Sequence, residues 1–211
     1  MRLMDMGLDQ LNSLLVEMAQ LSQSAVSASM EAYRRGGKGK EVKQMSDRLR
    51  ALHRQVSDLS VEMIARYQPV ASDLRFLKAC MEISYGFFRY GRYALDIAEV
   101  LQVFGDLSKC DHESVVTTAQ KTQEMIRMSV DAFARRDVEL ARKIPSLDDA
   151  VDSSYRDNVK STLQGKGDVR CALSSMLILR YLERIADHAT YIGEMVEYIS
   201  TGVEPDASPG N

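Results

Sequence analysis

The sequence predicts an all-α protein built as two tandem three-helix bundles, and three observations carry that prediction. Helix breakers are scarce: 211 residues include 4 Pro and 12 Gly, with 12 Met, no Trp, 45% apolar and 27% charged residues, a profile rich in helix formers. Breakers and turn residues mark clear cuts that divide the chain into six long segments with helical periodicity. The third and sixth of these segments repeat each other.

Taken in order, the first segment opens MRLMDMGLDQLNSLL, where Asp5 and Asp9 interrupt the apolar residues and remove the continuous core of a signal peptide. It ends at RRGGKGK, 34–40, and the surrounding basic cluster YRRGGKGKEVK reads as a solvated turn. The second segment stops at YQPVASD, 67–73, and Ser72 offers an N-cap oxygen to the third. FGDLSKCD, 104–111, closes the third, and Asp111 is placed to cap the fourth. RRD at 135–137 and QGKGD at 164–168 bound the fifth, and Asp168 caps the sixth. Helices of about 25 to 35 residues joined by short loops imply antiparallel neighbours in a bundle. The units are residues 1–105 and 110–202, and the polar, Pro- and Gly-containing 203–211 is expected to be a loose tail.

A shift of 95 residues lays Asp73 on Asp168, Arg75 on Arg170, Ile83 on Ile178, Arg89 on Arg184, Ala94 on Ala189 and Glu99 on Glu194. The apolar seam is the stricter test. In the later copy it runs Ile178, Leu182, Ile185, Ala189, Ile192, Val196, Ile199, in alternating steps of four and three. The earlier copy gives Ile83, Phe87, Tyr90, Ala94, Ile97, Leu101, Phe104. Every position stays apolar and the small Ala keeps its layer, as internal duplication predicts.

A formal charge of -3 supplies no basic field for phosphate backbones and argues against nucleic acid as a partner. No window holds the roughly twenty uninterrupted apolar residues of a membrane span. Cys80, Cys110 and Cys171 are far apart with no C-x-x-C spacing, which suits buried small residues in a reducing, cytoplasmic compartment.

With Leu182 and Ile185 on the seam, Glu183 and Asp187 fall together on the outward face, four residues apart. Asp148 and Asp152 in LDDAVDSSYR repeat that spacing, each after an apolar residue, Leu147 and Val151. If the fifth and sixth segments are neighbours, the two pairs converge into a ligand set for a hard or borderline cation such as iron, zinc, manganese or magnesium. Asp149 is a further ligand or an exposed charge, and His188 a bystander. The plainer alternative is that Arg180 and Arg184 neutralise an ordinary acidic surface. The first half is the control: aligned there are Ser46, Arg50, Phe88 and Arg92, so all four carboxylates are lost together. Phe88 then either packs on a neighbouring helix or joins Tyr85, Arg89 and Tyr93 in an exposed interface. No Gly-rich phosphate loop is present, and three scattered His assemble no catalytic constellation. The remaining alternatives are a carboxylate-bridged helical-bundle enzyme and a metal-free helical scaffold.

The phrases QPVASDLRFL (68–77), DAFARRDVELARKIPSLDDAVD (131–152) and RYLERIADHATYIGEMVEYISTG (180–202) resemble the PhoU family. The resemblance spans nearly the whole chain and implies two tandem three-helix bundles. It further implies a non-enzymatic cytoplasmic regulator of phosphate uptake and starvation signalling, whose partners are phosphate transporter components and a sensor kinase or equivalent. Such a protein reaches the membrane through its partners alone, and the resemblance allows a homodimer. Several members bind metal clusters through paired E/D-x-x-x-D motifs, one set per repeat. Carried over, the second set falls on Asp148, Asp152, Glu183 and Asp187, and the first set is not matched. Tyr191 stands where many members have Asn.

Overall fold

The computed structural model describes residues 3–35, 39–165 and 168–203. They form α1 (Leu3–Arg35), α2 (Lys40–Tyr67), α3 (Ala71–Phe104), α4 (Glu113–Arg135), α5 (Val138–Ala141), α6 (Pro145–Leu163) and α7 (Val169–Thr201). Among the described residues there is no strand. All five cuts expected from the sequence coincide with helix ends. The expected tail, beyond Val203, and the centres of the two Gly/Lys turns lie outside the described residues.

The fifth segment differs from expectation, because it is two helices rather than one. Arg136 adopts φ 53°, ending α4 in the left-handed region, and the Asp137 carboxylate then accepts from the Leu140 N–H at 2.9 Å to start the single turn of α5. Pro145 restarts the chain in the first turn of α6, where its missing N–H costs nothing. Asp168 caps α7 as expected, accepting from the Cys171 N–H at 3.0 Å, and Asp111 accepts from the Glu113 N–H at 2.9 Å. Ser72 does not cap. The chain leaves Pro69 through an extended Val70 and a left-handed Ala71 at φ 48° that opens α3, so Ser72 lies inside the first turn.

The cysteine expectation holds for one residue of three. Cys80 is free and fully buried, and burial pushes its thiol up to about 12. Cys110 and Cys171, however, form a disulfide with Cα atoms 5.4 Å apart. Sixty-one residues separate them along the chain, and only the packing of α7 beside the end of α3 brings them together.

Both seams are buried as the register requires, with only Phe104 and Ile199 at their ends half-exposed. Beyond that, α3 and α7 pack on each other as an antiparallel pair. The Tyr191 hydroxyl donates to the Glu82 carboxylate at 3.1 Å, and Tyr93 stacks on Tyr181 with ring centres 6.2 Å apart. Tyr93 also meets His188 at 6.0 Å. Since His188 is the repeat equivalent of Tyr93, the pseudo-twofold axis passes between these two rings. Gly86 allows the close approach, as a Cβ there would stand 2.8 Å from the Ile192 Cδ1.

Helices α1 and α4 complete a central layer around this pair. Tyr90 hydrogen-bonds Ser129 at 3.1 Å, Phe87 meets Phe133 edge-on at 6.4 Å, and Tyr33, Leu101, Val115 and Leu182 share one cluster. The two repeats therefore share a core. Helix α2 flanks one side and α6 the other, but unequally. Val42, Ser46, Leu49, Leu52, Val56, Ser60 and Met63 of α2 are buried, whereas α6 buries only Val151.

Candidate metal centre

The acidic site forms where the weakly held α6 lies along α7. Carboxylate oxygens of Asp148, Asp152 and Asp187 lie within 4.8 Å of one another. Each of these residues is half-buried, an environment in which neighbouring carboxylates disfavour each other's charge. Burial first, then the charges of Asp152 and Asp187, push the Asp148 carboxyl up to about 6. Asp187 is raised as well, by burial and by Glu183, against a lowering effect of Arg184.

The arginine alternative accounts for part of this cluster and not the rest. Glu183 is paired with Arg180, and Arg184 approaches Asp187 at 3.6 Å. One oxygen each of Asp148 and Asp152 is buried with no hydrogen-bond partner. Basic neighbours therefore reach the α7 pair but not the α6 pair. Three of the four residues singled out in the sequence converge; the fourth, Glu183, is half-buried one turn away and turned to Arg180. Asp149 is exposed. His188 points to the α3 side, against Tyr85 at 5.8 Å and Tyr93, and burial together with Arg89 and Arg184 pushes its pKa down to about 4. It is a bystander to the carboxylates.

Sequence reasoning missed the aromatic cluster that fills the matching groove of the first repeat. Phe88 lies parallel to His53 at 5.8 Å, with the Arg50 guanidinium 6.0 Å from its ring centre. His53 in turn hydrogen-bonds Ser84 at 2.8 Å. Arg92 is held by Asp96 at 2.6 Å and Glu99 at 3.8 Å, and Ser46 is fully buried. The packing alternative for Phe88 is thus the one realised. The pairing was legible in part, since His53 aligns with Tyr155, itself beside Arg180, in the same register that aligns Arg50 with Asp152.

A helical duplication sharing one core, with a carboxylate cluster in one groove and an aromatic plug in the other, defines a tandem-repeat, all-helical protein whose distinctive chemistry lies on α6 and α7. The PhoU domain model matches residues 15–101 and again 115–196, one match per repeat, and the chain belongs to the PhoU family. A relative from Zymomonas mobilis, named phosphate-specific transport system accessory protein PhoU homolog, is 29% identical over 98% of this chain and 90% of its own length. A Pseudomonas putida relative of the same name is 30% identical over 93% of this chain and 80% of its own. The crystal structure of PhoU from Pseudomonas aeruginosa superposes with a TM-score of 0.87 at 28% identity, covering 94% of this chain and 99% of that one. The phosphate transport system regulatory protein PhoU from Streptococcus pneumoniae shares the fold, with a TM-score of 0.86 at 20% identity over 96% of this chain and 99% of its own. Among the described residues no helix is long and apolar enough to cross a membrane.

Proposed function

We propose that this chain is a non-enzymatic, cytoplasmic regulator of phosphate uptake and phosphate-starvation signalling, which acts by docking onto transporter components or a sensor kinase. The observation that carries this reading is correspondence across both repeats with proteins named phosphate-specific transport system accessory proteins. Deleting the gene is expected to change phosphate uptake and starvation-gene expression in phosphate-replete cells. Unchanged uptake and unchanged expression would overturn the proposal.

The same reading places one metal centre in the second repeat, held by Asp148, Asp152 and Asp187, with Glu183 joining by releasing Arg180. The residues fit a cation: two buried oxygens lack a partner, and three carboxylates converge with raised or crowded charge. All-oxygen ligation accommodates iron, zinc, manganese or magnesium, and iron or zinc is the first expectation. When bound, the ion supplies the positive charge that the buried oxygens of Asp148 and Asp152 lack. The first repeat, with Arg50, Phe88 and Arg92 in the matching groove, holds none. Metal analysis of the native protein should find one centre per chain, lost in Asp187→Ala and kept in Arg92→Ala. Equal metal content in the two variants would remove the site.

A further inference from the structure

The geometry points to a thiol–disulfide exchange site at the junction of the repeats: Cys110 and Cys171 react with a dithiol reductant, and their redox state sets whether the α3–α4 connection is fastened to α7. Cys110 lies in that connection, residues 105–112, and Cys171 is the third residue of α7. Both are partly exposed and open to an attacking thiolate, whereas the third cysteine, Cys80, is fully buried. The bond closes a loop around α4, α5 and α6 and is the only covalent cross-link among the described residues.

Local surroundings make the two sulfurs unequal. Cys171 sits in the first turn of a 33-residue helix, where free N–H groups and the positive end of the helix dipole favour a thiolate. Arg170 precedes it and donates to the Asp106 carbonyl of the connection. The carboxylate of Asp168, which accepts from the Cys171 N–H at 3.0 Å, and that of Asp111 oppose this effect only in part, because the Val169 and Arg170 N–H groups of the first turn have no intrahelical acceptor. Cys171 is therefore the better leaving group.

The exchange follows from that difference. A thiolate of the dithiol attacks the Cys110 Sγ, a mixed disulfide forms there, and the Cys110–Cys171 bond breaks with its electron pair passing to Cys171. The second thiol of the reductant, as thiolate, attacks its own sulfur in the mixed disulfide and releases Cys110, which takes up a proton. Two electrons have moved from the dithiol, now a cyclic disulfide, to the protein, now a dithiol. A disulfide oxidant reverses the sequence.

Once the bond is open, few contacts hold the connection: buried Leu107, the Arg170 donation to Asp106, and the edge-on contact of His112 with Tyr33 at 4.7 Å. Leu107 alone reaches the core, in the cluster of Leu101 and Leu182, so reduction loosens the connection around that single anchor and leaves the bundle folded. In a reducing compartment a disulfide of this kind is transient rather than structural.

The test uses the full chain, oxidised and then treated with a dithiol under native conditions. Alkylation mapped by mass spectrometry should mark Cys110 and Cys171 and leave Cys80 unmarked. Hydrogen exchange should rise in 105–112 and in the first turn of α7, with helicity unchanged. The melting temperature should fall by about 10 °C, from the entropy of the opened loop in a chain of this size. A Cys110→Ser/Cys171→Ser variant should show the reduced behaviour with or without the dithiol. A bond that opens only in denaturant, or opens without changing exchange in the connection, would overturn the inference. These readouts count thiols and amides, so they stand or fall separately from any effect on phosphate uptake.

Discussion

Asp148 is the residue at which the site declares a cost. Its carboxyl is raised to about 6 by burial and by neighbouring carboxylates, so without a cation its ionised form is disfavoured in the folded chain. The sign follows from proton counting: between its ordinary value near 4 and about 6, the folded state binds more protons than the unfolded state. This group's contribution to stability is therefore greatest below about pH 4, falls as pH rises through that window, and is flat above it. Asp148→Asn should stabilise the metal-free protein at pH 7 by about 1–2 kcal/mol, after discounting for its partial exposure. The gain should vanish near pH 4, and urea titrations at the two pH values measure the difference. A loss of stability at pH 7 would mean that the carboxylate is satisfied by a neighbour. The helical register was enough to pair Asp148 with Asp152 and Glu183 with Asp187, because positions four apart share a face, while their convergence rested on the expectation that the two helices are neighbours. It was not enough to read the engagement of Glu183 by Arg180, because a side chain with several rotamers in reach of several partners leaves no periodic trace.

The same contrast between repeats is clearest in the two outer helices. In α2, Ser46, Leu49, Leu52 and Val56 form a buried spine. The repeat register places Asp148, Val151, Ser154 and Asn158 at the matching positions of α6, and only Val151 is buried. Helix α6 therefore has little apolar area to hold it, and a cation shared between Asp148, Asp152 and Asp187 would act as its clasp. Chelation should raise hydrogen exchange across 145–163 well above that of 40–67, and equal protection in both helices after chelation would exclude the clasp. Close packing is conserved in kind between repeats while the residues trade places. Gly39 at the start of α2 would press a Cβ to 2.9 Å from Ala98, and Gly193 on α7 faces the Ala141 carbonyl at 3.2 Å and Ile144 at 3.0 Å. Gly193→Ala must push a backbone oxygen and a fully buried side chain, outweighing the gain of about 1 kcal/mol in helix propensity. It should destabilise by about 1 kcal/mol net. Gly86→Ala would press on both Cδ1 and Cγ1 of the fully buried Ile192, at 2.8 and 2.9 Å, and should likewise destabilise, by about 1 kcal/mol net, as paired denaturation curves would show. The RRD cut marked the start of α5, but the extra break between α5 and α6 was hidden in the sequence because Pro145 follows only one helical turn, Val138–Ala141, that continues the pattern.

At the scale of the whole molecule, duplication has not produced two independent domains. The seam periodicity made both three-helix units legible, since it recurs at a fixed spacing, but it said nothing of the second face by which α3 and α7 bury each other. That face is built from Gly86 and Tyr93 on α3 and their repeat equivalents Tyr181 and His188 on α7, whose mixture of small, aromatic and polar side chains gives no apolar signal. Tyr90 and Phe87 then reach into α4, and Ile97 and Leu101 share a cluster with Ile178 and Leu182. Separating the repeats would expose all of these at once. Residues 1–105 and 110–202 expressed apart should be helical but loosely packed, and should recover native packing when mixed. The intact chain should unfold in one calorimetric transition of about 150 kcal/mol near 60 °C, with the van't Hoff enthalpy equal to the calorimetric one. The Cys110→Ser/Cys171→Ser variant should keep that single transition, because the coupling comes from the shared core and not from the cross-link. Two transitions of roughly half that enthalpy each would show that the repeats fold separately and that the α3–α7 face is only a docking surface.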